Sequence, residues 1–235
     1  AAAGAGTVID SLYAIKKAVY EDKITTFGHL LKAMKEDFRD DEILRQYLLH
    51  KVPKFCKDKD ATEFGKKVMD DLAECLGGQA NYRGGKFEPS LFAFYSYNWF
   101  KNVTIATADG RKSESALSRG VNPSESTENI NIAALLDAIK TMDYTKYPGG
   151  AVIYMDIPLM YKTPQPSLFA SVMRAFCENG GSIMDFNVIS RNALLEAQKN
   201  PETHKNIVVR VCGYSAYFHT LTAEMQNEVI QRTQR

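Results

Sequence analysis

The sequence predicts an α/β chain with a helical N-terminal segment. Three observations carry this. The first third holds apolar stripes at helical spacing. From residue 129 onward, β-rich runs alternate with helical patterns. Between them, over residues 81–128, neither period holds.

Taken in order, Leu12, Ile15 and Val19 share one helical face. Leu30, Leu31, Met34 and Phe38 form a second stripe, and Ile43, Leu44, Tyr47 and Leu48 a third, with Lys, Asp and Glu opposite. Thr25 or Thr26 is a candidate N-cap for the second helix, and Pro53 breaks the third. A fourth helix is expected over residues 61–76, stopped by Gly77 and Gly78. All of these stripes read as core packing.

Residues 81–128 are an irregular connection rich in aromatic residues, Gly, Ser and charge, with one strand expected near 103–106. A stretch of this kind is expected to fold over another surface or to line a site. Its ADGRK sequence reads as a type I turn with Arg111 and Lys112 in solvent.

Beyond it, Ile132, Leu135, Leu136 and Ile139 have the i, i+3, i+4, i+7 spacing of a helix. GGAVIYMDI predicts a strand over 151–157. Pro164 and Pro166 precede a helix carrying Leu168, Phe169, Val172, Met173 and Phe176, ended by Gly180 and Gly181. SIMDFNVI reads as a strand, Ser190 caps a short helix ending near Pro201, and NIVVRV is a further strand. Thr222 caps a final helix with Met225, Val229 and Ile230 on one face. The organisation is a helical segment over 1–80, the connection over 81–128 and a C-terminal domain over 129–235. No internal repeat and no low-complexity tract is found.

The 235 residues suffice for one large domain or two small ones, and 45% of them are hydrophobic, enough for a sizeable core. With 29 basic and 28 acidic residues the formal charge is +1, which gives no electrostatic case for a nucleic-acid or membrane partner. No apolar stretch is long enough to span a bilayer. The opening AAAGAGTVID lacks the pattern of a secretory signal and an initiator Met, so a processed chain or a piece of something larger is expected. Cys56, Cys75, Cys177 and Cys212 are far apart with no CxxC, which suggests neither a zinc nor an iron–sulfur site; free thiols in a reducing cytosol are expected. His29, His50, His204 and His219 have no partners at recognisable spacing, and no phosphate-loop or dinucleotide-binding fingerprint occurs.

One stretch is out of keeping with an ordinary core strand. VRVCGYSAYF, residues 209–218, runs apolar into Gly213 and then on through aromatics. Read alone, the glycine marks a bend or a close backbone approach. Read with four other stretches, it resembles the radical loop of the glycyl radical enzymes, the superfamily of pyruvate formate-lyase, glycerol dehydratase and choline trimethylamine-lyase. Their signature is Arg-Val-x-Gly-Tyr/Trp followed by an aromatic, near the C-terminus. GGSIMDFNVIS is similar to their Gly-Gly-…-Phe-Asn-Val strand, and TADGRKSESALSRGVNPS to their DGRK…PL…G…SP region. GTVIDSLYAIKKAVYEDKITT resembles their DSL-x-AIKK helix, and LTAEMQNEVIQRT their final helix. The likeness runs nearly from end to end, in the family's order.

The resemblance implies the C-terminal part of a ten-stranded α/β barrel, preceded by a helical segment, with 129–235 as the glycyl radical domain. It implies Gly213 as the site of a stored radical, with Arg210, Val211, Cys212, Tyr214, Ser215, Tyr217 and Phe218 supporting the loop. The chemistry agrees. An α-carbon radical is shared between the flanking amide nitrogen and carbonyl and needs a planar carbon, which a side chain would crowd; glycine alone has no Cβ. Such a radical needs dry packing, which Val209, Val211, Tyr214, Tyr217 and Phe218 are expected to supply. Arg210 is expected to hold the loop by hydrogen bonds or an ion pair. The loop must leave its burial to be activated, so mobility over 209–219 is expected.

The family relays the radical to a cysteine in a Gly-Cys-x-Glu context. Here Cys56 precedes Lys-Asp, Cys75 precedes Leu-Gly, Cys177 lies on a helix and Cys212 fills the variable position of the motif. None matches, so the sequence is expected to carry the radical site but not the thiyl site. Three arrangements fit: the smaller chain of a split enzyme, a piece of a longer chain, or a stand-alone radical carrier that repairs an oxygen-damaged enzyme. The implied partners are a larger chain with the Gly-Cys-x-Glu loop, a radical S-adenosylmethionine activating enzyme that installs the radical, and a small-molecule substrate. No bound cofactor and no metal are implied, and the implied setting is the cytoplasm of an anaerobe. ENINIAALLDAI departs from the Gly-Pro-Thr-Ala stretch of dehydratase-like members, which argues against a diol substrate.

Overall fold

A computed structural model describes residues 1–91, 99–124, 127, 132–156, 166–211 and 213–232. The chain divides into two compact units, residues 1–153 with 174–183, and residues 154–173 with 184–235.

The first unit opens with α1 (Ala5–Ile15), which runs on into a π-helical stretch, Lys16–Glu21. Then come α2 (Phe27–Lys35), α3 (Glu42–His50), α4 (Lys59–Leu76) and α5 (Ile132–Thr141). Thr26 caps α2, accepting from the His29 amide at 3.2 Å. Asp58 caps α4 in the same way, from the Ala61 amide at 2.9 Å. α4 ends at Gly77 as expected, and α3 stops before Pro53. α1 packs on α4, and α4 on α5. Tyr13, Ala14, Ala18, Leu30, Ala33, Phe38, Leu44 and Leu48 form the core of this unit.

Two expected faces are shifted. On α1 the buried apolar positions include Ile9, Tyr13 and Ala14, while Leu12 is exposed. The cause is the π-helical stretch: Asp22 N–H bonds Lys17 O, five residues back, so the 3.6-residue period does not carry from Leu12 to Val19. On α3, Leu44 and Leu48 are buried but Ile43 is exposed.

The entry of α1 is fixed by a close backbone approach. Gly6 bridges to Pro123, and a Cβ on Gly6 would lie 2.2 Å from the Asn122 carbonyl oxygen. Thr7 and Ser118 exchange amide-to-hydroxyl hydrogen bonds at 3.0 and 2.9 Å beside it. Residues 103–106 are not the expected strand. Val103 and Thr104 donate their amides to Phe100 O in turns, and the Ile105 carbonyl accepts from the Arg111 side chain, so no ladder forms.

Four strands occur among the described residues: β1 (Val152–Asp156), β2 (Ile183–Asn187), β3 (Val208–Arg210) and β4 (Ser215–Tyr217). They form two two-stranded sheets, β1 with β2 and β3 with β4, so a ten-stranded barrel is not present within them. Between β1 and β2 lies α6 (Pro166–Glu178), followed by Gly180 at φ 84°. The expected last residue of the first strand, Ile157, with Pro164 and the segment 128–131, lies outside the described residues.

In the second unit, α7 (Arg191–Lys199) is capped by Ser190 through the Ala193 amide at 3.2 Å, and α8 (Ala223–Arg232) by Thr222 through Met225. The β3–β4 hairpin lies between them in the chain. Leu194, Ala197, Val209, Val211, Phe218, Val229 and Ile230 form this unit's core. No helix among the described residues is long and apolar enough to cross a membrane.

Candidate functional site

The site builds from the hairpin upward. Val208 and Val209 favour extended backbone, and alternation divides the two strands by face. Val209, Val211 and Phe218 are buried, and Val208, Ser215 and Tyr217 are exposed. The ladder is antiparallel, pairing Val208 with Tyr217, Val209 with Ala216 and Arg210 with Ser215. It closes with the Val211 amide donating to Tyr214 O at 2.9 Å, across a turn whose third residue is Gly213. Gly213 sits at φ 81°, a backbone that favours glycine. NIVVRV therefore shortens to β3, and the residues after the glycine form a second strand that periodicity did not reveal.

Arg210 lies one pair below the turn. Its Nε donates to Asp185 Oδ1 on β2 at 3.1 Å, and its Nη1 reaches Ser215 Oγ at 3.4 Å. Arg210 was expected to hold the loop by hydrogen bonds or an ion pair, and it makes an ion pair with Asp185 and a long hydrogen bond to Ser215. Its partner, Asp185, was not foreseen. The signal was there, since SIMDFNVI carries a carboxylate in the middle of an apolar strand.

The expected dry wall is only partly built by this chain. Phe218 and Val211 are buried, but Tyr214 is 49% exposed and Tyr217 53%, and Gly213 itself is exposed. The reason is geometric. The tight turn carries Gly213 and Tyr214 beyond the hydrophobic cluster, and alternation puts Tyr217 on the face opposite Phe218. Cys212 lies outside the described residues.

A second polar constellation lies in the first unit, where the ADGRK turn is buried instead of solvated. Gly110 N–H closes the turn on Thr107 O at 3.0 Å. Asp109 and Arg111 are buried. Arg111 donates to the carbonyls of Lys112, Ser115 and Ile105 and to the hydroxyls of Thr104 and Thr107. Five satisfied donors let the guanidinium leave water, which is why it is not at a solvated tip. Asp109 accepts from the Ser124, Thr107 and Ser11 hydroxyls, and its carbonyl accepts from Lys54 Nζ at 2.8 Å. Asp10 accepts from the Phe55 amide at 2.7 Å and Thr127 Oγ1 at 3.1 Å; burial raises its pKa to about 6 against the pull of Lys54. Burial likewise lowers the Lys54 ammonium from its ordinary value.

Cys56, Cys75 and Cys177 are free thiols; Cys56 is buried, and burial pushes its pKa well up, which disfavours the thiolate. Among the described residues no group of three His, Cys, Asp or Glu could hold a metal ion.

A glycine held at positive φ in an arginine-anchored hairpin defines a specialised loop within an α/β chain, and comparison with known proteins identifies it. A family of pyruvate formate lyase-like proteins matches residues 1–101, and the glycine radical family matches residues 117–219. The trans-4-hydroxy-L-proline dehydratase of Clostridioides difficile is 30% identical over 99% of this chain and 30% of its own length. The isethionate sulfite-lyase of Nitratidesulfovibrio vulgaris is 34% identical over 98% of this chain and 28% of its own. The B12-independent glycerol dehydratase from Clostridium butyricum superposes with a TM-score of 0.87 at 31% identity, over 97% of this chain and 29% of that one. The chain belongs to the glycyl radical enzyme superfamily. It spans about 30% of the length of the curated relatives it matches.

Proposed function

We propose that this chain is the radical-bearing part of an anaerobic, cytoplasmic glycyl radical lyase, and that it stores the unpaired electron on the α-carbon of Gly213. A radical S-adenosylmethionine activating enzyme removes one α-hydrogen. The glycyl radical then takes the hydrogen of a thiol in a Gly-Cys-x-Glu loop on a larger partner chain. The resulting thiyl takes hydrogen from a small-molecule substrate and starts cleavage of a carbon–heteroatom or carbon–carbon bond. The two chains together make up the ten-stranded α/β barrel. The observation that carries this reading is Gly213 itself, a residue without Cβ at φ 81° in a turn held from below by Arg210. Its exposure in this chain supports access by the activating enzyme, and in this reading the partner chain supplies the shelter the radical needs.

A second reading is a stand-alone spare part that docks on an oxygen-damaged enzyme and brings it the same Gly213 hairpin. Anaerobic activation followed by electron paramagnetic resonance tests the common core of both. A doublet from coupling to the one remaining α-hydrogen is expected, and it is absent in Gly213→Ala. A wild-type chain that gives no doublet, or a variant that gives the same one, overturns the reading. Isolation from the native source separates the two forms. A stoichiometric larger chain bearing Gly-Cys-x-Glu supports the split enzyme. Restored activity of a C-terminally truncated enzyme on mixing supports the spare part.

A further inference from the structure

We propose that Asp185 sets the position of the Gly213 turn by acting through Arg210; the inference rests on the reading of Gly213 as the radical carbon. Asp185 touches neither that carbon nor a substrate, so it is a positioning residue.

The argument starts from burial. Asp185 is 6% exposed, in a strand whose neighbours are apolar. Oδ1 accepts from Arg210 Nε at 3.1 Å, and Oδ2 has no hydrogen-bond partner among the described residues. A carboxylate taken out of water with a single charge-assisted bond depends on that bond, because without the guanidinium a buried charge is left uncompensated.

The dependence also runs the other way. Arg210 and Ser215 are the ladder pair next to the turn, and Arg210 Nη1 approaches Ser215 Oγ at 3.4 Å. One guanidinium thus joins the carboxylate on β2 to both strands of the hairpin, one pair below Gly213. The opposite face is held by Val209, Val211 and Phe218 in the apolar cluster. Apolar packing fixes how deeply the hairpin sits, but it is non-directional and leaves the hairpin free to twist and slide. The Nε–H···Oδ1 bond is directional and fixes the remaining freedom. Within the turn, the Val211 amide bonds the Tyr214 carbonyl.

The test uses Asp185→Asn, which keeps shape and an acceptor but removes the charge, with Asp185→Ala as a second variant. Native-state hydrogen exchange is read on the full 235-residue chain. The Val211 amide is expected to exchange about tenfold faster in both variants, matching loss of a charged hydrogen bond, while the Leu194 and Gln226 amides of α7 and α8 keep their rates. After anaerobic activation, the doublet is expected to be weaker in Asp185→Asn than in wild type. Val211 exchanging at the wild-type rate in both variants overturns the proposal. So does uniform acceleration of all three amides, which marks a merely structural role, and so does an undiminished doublet in Asp185→Asn. A wild-type chain with no doublet counts against the radical reading instead, and the exchange comparison then decides the role of Asp185 by itself.

Discussion

Lys54 Nζ donates a 2.8 Å hydrogen bond to the backbone carbonyl of Asp109, from a side chain only 4% exposed. The same ammonium attracts the Asp10 carboxylate, so one lysine holds the loop after α3, the helix α1 and the buried ADGRK turn in a common electrostatic site. Removing it takes a positive charge away from two buried carboxyl groups, Asp10 and Asp109. Lys54→Met, which keeps the aliphatic stem, is expected to lower unfolding stability by about 3 kcal/mol, since it removes a buried hydrogen bond and the charge that offsets two buried carboxyl groups. Urea denaturation checks this through a shifted midpoint at unchanged slope.

Asp10 makes this site pH-dependent. Its pKa is about 6 folded, against an ordinary 3.8. A carboxyl that binds its proton more tightly when folded favours the folded state while protonated. That contribution is complete below the unfolded pKa and is lost as pH rises through the folded one. Relative to Asp10→Asn, the wild-type chain is expected to lose about 2–3 kcal/mol of stability between pH 4 and pH 6, and no more above that. Parallel stability profiles for the two proteins would contradict this.

Gly6 meets the chain at 122–123 too closely for a side chain. A Cβ there would stand 2.2 Å from the Asn122 oxygen and 2.8 Å from the Pro123 carbonyl carbon, both backbone atoms that cannot swing aside. Gly6→Ala is expected to cost about 3 kcal/mol through forced backbone displacement. Thermal unfolding compared with a Gly28→Ala control, at a helical position with open space where no loss is expected, checks it.

Ser190 accepts from the Ala193 amide at the start of α7, which supplies Leu194 and Ala197 to the cluster beneath the hairpin. Ser190→Ala is expected to cost about 1 kcal/mol. The loss is expected to reach the hairpin through that cluster, read as faster hydrogen exchange at Val211.

Much of the second unit was legible because its signals are local. Ser190 and Thr222 cap the helices they were expected to cap, and Val229 and Ile230 face the core. In the first unit, α4 and its glycine stop were equally plain. What escaped depends on groups distant in sequence. The π-helical stretch at 16–21 breaks the helical period, so Leu12 was assigned to the core in place of Tyr13. The burial of Arg111 requires acceptors spread over residues 104–115, which a turn pattern does not reveal. Within the site, Gly213 and Arg210 stand out because the motif is contiguous. Asp185 is 25 residues upstream of its partner, and only the meeting of β2 with the hairpin makes it part of the same device.

The most direct measurement of the central claim is mass spectrometry of the anaerobically activated chain after brief exposure to air. A carbon-centred backbone radical reacts with oxygen where the spin resides, so a single break at Gly213 is expected, absent without activation and absent in Gly213→Ala. An intact chain, or the same cleavage in the alanine variant, would contradict it.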